Sequence, residues 1–314
     1  MRLRDLGEGG LIERIRARFQ TSAITVGIGD DAAILDVPVG HSLVYCCDLV
    51  VEDTHFIRGV HPPDSVGYKA VAVNVSDVGA MGGVPMYFVI SFAAPGDLEL
   101  AWVDGFYSGI ERACRDFGVV LAGGDTSSAK SIFVDVAIIG RVPAGRAVLR
   151  SGAQPGDGIY VTGTLGASSL GLELVRAGKT DSTAAMRHLY PEPRHRVGAG
   201  VVGMAHAMID VSDGLSTDLG HIVRESRVSA RIYKSKLPAA AGAGDDHVLH
   251  GGEEYELLII APELPAKIEG VALTRIGEVI ASVNEQHQIF LDDGTSQSVL
   301  QPRGWNHYQH EHGY

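Results

Sequence analysis

The chain has 314 residues, 45% hydrophobic and 20% charged, enough for one large core or two of about 150 residues and unlike a disordered or repeat protein. A formal net charge of -12 argues against nucleic acid, whose phosphates need a basic stripe, and leaves divalent metal to neutralise any phosphorylated ligand. Three cysteines (Cys46, Cys47, Cys114) are too few for a disulfide framework or zinc site and point to a reducing, cytoplasmic setting, and apolar runs such as Leu257 to Pro262 fall far short of the roughly 20 residues of a membrane span.

The opening MRLRDLGEGGLIERIRARF carries Arg14, Arg16 and Arg18 where a signal peptide needs an unbroken apolar core, so it reads as an amphipathic helix. HSLVYCCDLVV and MYFVISFAAP alternate as strands. SVGYKAVAVNVSDVGAMGG is open between strand, on the alternation of Val71, Val73 and Val75, and helix, on Val66, Ala70, Val73, Asp77 and Met81. DLELAWVDGFYSGIERACRDFG has helical spacing at Leu100, Val103, Phe106, Ile110 and Ala113. VVLAGGDTS, SIFVDVAIIGRV and GDGIYVTGTLG read as strands, and SSLGLELVRAG as a helix ended by Gly178. Pro, Gly and Arg cluster in VPAGRAVLRSGAQPGD and place a domain boundary near residue 146, giving domains 1–146 and 147–314. In the second, MIDVSDGLSTDLGHIV predicts a strand ending at Asp210, a Gly turn, and a helix with Leu215, Leu219, Ile222 and Val223 inward; HVLHGGEEYELLIIAP and TRIGEVI are expected as strands. LPAAAGAGDD reads as a loop, and the last five or six residues are expected to fray.

Five segments set aspartates at Gly-rich or turn-like text: GIGDDAA (Asp30, Asp31), CCDLVVEDTHF (Asp48, Asp53), NVSDVGAMGG (Asp77), GGDTSS (Asp125) and DVSDGLS (Asp210, Asp213). One Asp before Gly is ordinarily a turn former or helix cap; the group is what matters, since clustered carboxylates stay ionised together only with cations between them. Such hard oxygen ligands suit Mg²⁺ or Mn²⁺. Gly123–Ser127 and Gly163–Gly166 are candidates for exposing main-chain N–H groups to phosphate, with Arg150 and Lys69 the best-placed cations. No GxxxxGK[ST] and no HRD/DFG set is present.

Taken in order, GIGDDAA, DLVVEDTHF, YKAVAVNVSDVGAMGGVP, GGDTS, RSGAQPGD, IYVTGTLG, IDVSDGLSTDLGHI, HGGEEYELL, IGEV and terminal GWNHY resemble the thiamine-monophosphate kinase family, of the aminoimidazole ribonucleotide synthetase-like superfamily. The resemblance implies a two-domain α+β fold: an N-terminal mixed sheet with helices that pairs into a homodimer, and a C-terminal α/β sandwich. It implies an enzyme that transfers phosphate from ATP, with several Mg²⁺ ions, to thiamine monophosphate. By motif position Asp31, Asp48, Asp77, Asp125, Asp210 and Asp213 would hold metal, together with Cys46 and Cys47 through main-chain carbonyls; Asp77, Asp125 and Asp213 would be the pivotal catalytic ligands. Tyr107, Gly124, Asp125, Arg150 and Ser212 would face the nucleotide, and His55, Glu253 and Trp305 the thiamine phosphate.

Three departures stand out: Cys46 and Cys47 where the family has Ser or Thr, Glu254 where Asp is common, and a shortened run from Leu237 to His250 that leaves less chain for a helix at that edge. A phosphate monoester is already largely a dianion at neutral pH, so its transfer needs charge neutralisation and alignment rather than a base. A ring-closing synthetase of the same superfamily and a non-catalytic nucleotide- or thiamine-binding protein remain rival readings.

Overall fold

The computed structural model describes residues 1–19, 28, 33, 35–36, 38–282 and 286–305. Asp30, Asp31 and the tail beyond Trp305 lie outside them. The described chain divides into two units, one made of Met1–Val78 with Val84–Ala144, the other of Gly79–Gly83 with Gly145 to Trp305.

The first unit runs α1 (Leu3–Arg18), β1 (His41–Val51), α2 (Pro63–Ala80), β2 (Val84–Ala94), α3 (Leu100–Phe117), β3 (Val120–Ser128) and β4 (Phe133–Pro143). Its sheet has the order β1-β4-β2-β3, antiparallel except for β2 with β3. Alternation divides each strand cleanly. Phe88, Ile90 and Phe92 of β2 and Val134, Val136 and Ile138 of β4 are buried on the inner face, each burial stabilising by about 1.5–3 kcal/mol. α3 contributes Val103, Phe106, Ile110 and Ala113 to the same core. α2 is a helix although its valines alternate, because it is buried all round: Ala70, Val71, Ala72 and Val75 are all 0% exposed, so neither period stands out. Pro63 at its first position favours that outcome. α2 and α3 meet at two glycines; a Cβ on Gly67 would lie 2.0 Å from the Phe106 carbonyl oxygen, and one on Gly109 1.9 Å from that of Asp64. α1 departs from a single amphipathic helix, because Gly7 (φ 71°, ψ 171°) breaks it and only Leu11 and Ile15 are buried.

The second unit contains β5 (Gly158–Thr162), α4 (Ala167–Arg176), α5 (Thr183–Leu189), α6 (His195–Gly200), β6 (Ala207–Asp210), α7 (Leu215–Ser226), β7 (Ser229–Tyr233), α8 (Asp245–His250), β8 (Leu257–Ala261), β9 (Lys267–Ile268), β10 (Val271–Ile280), β11 (Ile289–Asp292) and β12 (Gln297–Val299). The strand order is β12-β11-β7-β10-β5-β8-β6, with β9 beside β10, and only β7 with β11 is parallel. Leu215, Leu219, Ile222 and Val223 of α7 pack into a core with Ile159, Val161, Ile209, Leu258 and Ile260.

One predicted strand is corrected. HVLHGGEEYELLIIAP begins as α8, breaks at Gly251, and becomes a strand only at Leu257. Between them Glu253 (φ 58°) and Tyr255 (φ 53°) take the left-handed conformation that side chains rarely adopt, which no strand tolerates. Two buried carboxylates clamp this segment. Glu256 accepts hydrogen bonds from Arg194 (2.7 and 2.8 Å), Arg187 and the Thr162 hydroxyl. Glu254 accepts the Ser168 amide (2.9 Å) at the N-terminus of α4.

Burial, only partly opposed by that amide, pushes the Glu254 carboxyl up from 4.5 to about 7. A raised folded-state value contributes stability that is complete below 4.5 and is lost as pH rises through about 7. Glu254→Gln keeps an acceptor for Ser168 and cannot ionise. Thermal denaturation at about pH 5 and about pH 8 is expected to show a smaller loss of Tm with rising pH in Glu254→Gln than in the parent protein, whereas parallel losses would place the ionisation elsewhere.

Candidate functional site

In the first unit the end of β1 faces α2. Cys46 and Asp48 share the inner face with buried Val50, and the Cys46 sulfur lies 3.8 Å from the Asn74 carbonyl oxygen, just under one turn before Asp77. Burial first, then the charges of Asp77 and Asp48, drive the Cys46 thiol far up, and its S–H donates to the Asn74 carbonyl. Cys46, Asp48 and Asp77 are thus brought together. Cys47 is not with them: its side chain is exposed on the outer face, in one row with Tyr45 and Leu49.

Asp125 is also apart. Register aligns Asp48, Val136, Ile90 and Gly124 in one row across the sheet, and Leu49, Asp135, Ser91 and Asp125 in the next, on the outer face. Three strand spacings separate Asp48 from Asp125, about 14 Å, too far for both to hold one ion within this chain.

Tyr107 differs from expectation as well. It is 2% exposed and packed against Phe92 and Phe106, so it belongs to the core rather than to an open nucleotide face. Lys69 is likewise buried within α2. His55 follows a turn in which Asp53 has φ 65°, and its Nδ1 accepts the Val51 amide at 3.1 Å. In the neutral ring the proton therefore sits on Nε2, where it can donate to an anionic ligand.

In the second unit β6 delivers Asp210 into the turn Val211–Gly214, and α7 begins at Leu215. Gly214 is required: its φ is 120°, and a Cβ there would lie 2.6 Å from the His250 carbonyl oxygen. The turn is held from inside by Asp218, whose Oδ2 accepts the amides of Asp213 (3.1 Å) and Gly214 (2.9 Å). It also gathers distant segments. The Ser212 carbonyl accepts the Glu253 amide (2.7 Å), Val211 exchanges main-chain bonds with Tyr255 and Glu256, and the Asp213 carbonyl accepts the Trp305 amide (3.1 Å). Gly252 and Gly304 permit this approach, since a Cβ would come within 2.7 Å of the Ser212 oxygen and 2.2 Å of the Asp213 oxygen respectively. Ser212, Asp213, Glu253 and Trp305, expected on the site from separate motifs, therefore meet.

Asp210 and Asp218 are 3% and 1% exposed, and burial followed by the charges of Asp210 and Asp213 raises Asp218 well above the usual carboxylate range. Asp213, Asp218 and His221 offer ligand atoms within 4.8 Å of one another. A divalent cation fits this set electrostatically, because its charge offsets the burial and mutual repulsion that raise Asp218. Asp218 and His221 were not singled out from the sequence; their spacing after the turn in DGLSTDLGH was the available signal. Burial, then Arg224 and Arg150, pulls His221 below its ordinary value, which sets the charge of Arg150 close to this ring.

Comparison with known proteins accords with this architecture. Residues 29–142 match the family described as AIR synthase related protein, N-terminal domain, and residues 154–290 its C-terminal domain. Thiamine-monophosphate kinase of Escherichia coli (strain K12) is 38% identical over 96% of this chain and 98% of its own length. A crystal structure of thiamine-monophosphate kinase from Stenotrophomonas maltophilia K279a is 32% identical over 90% of this chain and 95% of that one, with a TM-score of 0.78. The structure of AaThiL complexed with AMPPCP and TMP is 35% identical over 98% of this chain and 99% of that one, also with a TM-score of 0.78. With a two-domain match spanning most of its length and near-full-length relatives above 30% identity, the chain belongs to the thiamine-monophosphate kinase family.

Proposed function

We propose that this protein transfers the γ-phosphoryl group of ATP to thiamine monophosphate, giving ADP and thiamine diphosphate, with Mg²⁺ as the metal. The observation that carries the reading is the turn Val211–Gly214, which holds Ser212 and Asp213 beside Glu253 and Trp305 through main-chain bonds. The AMPPCP and TMP of the solved relative fit the same pair of ligands, an ATP analogue and thiamine monophosphate.

The acceptor is a phosphate whose attacking oxygen needs no deprotonation, so the difficulty is bringing two anions into line. Bound magnesium supplies charge neutralisation at the phosphoryl oxygens. The chain's own part is to hold and orient. Asp48 and Asp77 in the first unit, and Asp210 and Asp213 in the second, are the proposed metal ligands; Asp125 and Asp31 complete the proposed set. Arg150 and Ser212 are proposed to face the nucleotide, and His55 to donate from Nε2 to the acceptor phosphate. Transfer is direct, with no phosphorylated side chain, and takes place in the cytoplasm, which the free thiols of Cys46, Cys47 and Cys114 suit. Among the described residues no helix is long and apolar enough to cross a membrane.

We further propose that the chain works as a homodimer joined through the outer face of the first unit's sheet. That face exposes Leu43, Tyr45, Leu49, Val89 and Phe133 in adjoining rows, an apolar surface that calls for cover.

A coupled assay with ATP, Mg²⁺ and thiamine monophosphate is expected to release ADP and yield the diphosphate; folded protein without that product would refute the function. Asp77→Asn and Asp213→Asn are each expected to lower kcat at least about 100-fold with little change in Tm, and an unaltered rate would remove that residue from the reaction. Tyr45→Arg is expected to shift the solution mass from dimer to monomer, and an unchanged mass would move the interface elsewhere.

A further inference from the structure

The proposed substrate contact Glu253 has a buried partner that its sequence motif does not contain. His188 of α5 is 1% exposed, and its Nδ1 lies 3.4 Å from Glu253 Oε2 and 3.1 Å from the Ser168 hydroxyl. Its place is fixed by close packing of α4 on α5, where a Cβ on Gly171 would come 2.1 Å from the Ala184 carbonyl oxygen and 2.9 Å from the His188 Cβ. Glu253 itself is not free to wander. It has φ 58°, its amide is tied to Ser212, and its neighbours Glu254 and Glu256 are clamped by Ser168 and by Arg187 and Arg194. The remaining freedom is the side chain's own torsions, and His188 is placed to restrict them.

We infer that His188 is a positioning residue that holds the Glu253 carboxylate in the orientation that receives the thiamine phosphate. Nδ1 serves a carboxylate only as an N–H donor, so the ring carries its proton there, shared between Glu253 and Ser168. The substrate of the proposed reaction has a thiazolium ring with a permanent positive charge and no N–H to offer. A carboxylate meets such a ring by charge and position alone, so misdirection of its oxygens weakens binding without touching phosphoryl transfer. The inference rests on the proposed function for its kinetic consequence and on geometry alone for the positioning.

The test uses two amides of the same chemistry. His188→Asn sets its nitrogen where Nδ1 stood, and His188→Gln sets it where Nε2 stood. His188→Gln is expected to raise KM for thiamine monophosphate about tenfold, with KM for ATP unchanged and kcat within about threefold, while His188→Asn stays near the parent value. In a Glu253→Gln background the step from His188→Asn to His188→Gln is expected to fall below about twofold. Amide hydrogen exchange at Glu253 and Tyr255 is expected to quicken in His188→Gln and not in His188→Asn. Equal KM values for the two variants, or the same ratio with and without Glu253, would overturn the proposal. Should the parent protein turn over no thiamine monophosphate, the kinase reading fails, and the exchange rates still decide whether His188 positions Glu253.

Discussion

Carboxylates held close together in a protein interior repel one another, and this constraint organises both units of the molecule. Around Asp48 and Asp77 burial, reinforced by their charges, drives the Cys46 thiol up; around Asp210 and Asp213 burial, reinforced by theirs, raises the Asp218 carboxyl. Beside the second set Arg224 and Arg150 bring positive charge close to His221, whereas the one lysine in the first unit's motif text, Lys69, is buried in α2. On the proposed reading, a surface with net charge -12 that binds two phosphorylated ligands would rely on divalent cations.

The second unit shows how such a set is given a fixed shape. The turn after β6 is short, and bonds from outside it fix its shape: Asp218 from within α7, Glu253, Tyr255 and Glu256 from the segment before β8, Trp305 from the C-terminal stretch. Glycines at 214, 252 and 304 are the condition for that convergence, because a single methyl group at any of them would strike a main-chain oxygen. Strain is concentrated nearby, at Glu253 and Tyr255, and is held by the buried Glu254 and Glu256. The residues proposed to touch ligand are thus supported by residues that are not.

Much of this was legible from the chain alone where one structural period dominated. The strands His41–Val51 and Val84–Ala94 alternate clearly, and α3 and α7 bury the residues that their 3.6 spacing selects. α2 was not decidable, since a helix buried on every side has no stripe to read. The segment before Leu257 was misread because its two left-handed residues, Glu253 and Tyr255, are not glycines, and the turn signal of the Gly251–Gly252 pair was passed over. The acidic motifs pointed to metal chemistry, but not to where strand register would send each side chain: Cys47 and Asp125 fall on the outer face, one step out of phase with Asp48 and Gly124. Tyr107 stands four residues after Val103 and three before Ile110, a position on the buried side of α3 that its motif concealed. His188 left no local signal, because its partner lies 65 positions away and only the packing of α4 on α5 brings them together.

The central claim is that these carboxylates act by holding cations for a nucleotide. Titration of Mn²⁺ in the presence of AMPPCP, followed by electron paramagnetic resonance, tests it directly. The account predicts that each chain with bound nucleotide holds more ions than free AMPPCP does, and that amides at Asp77 or Asp213 remove the excess while the protein stays folded. An ion count equal to that of free AMPPCP, or one indifferent to those substitutions, would contradict it.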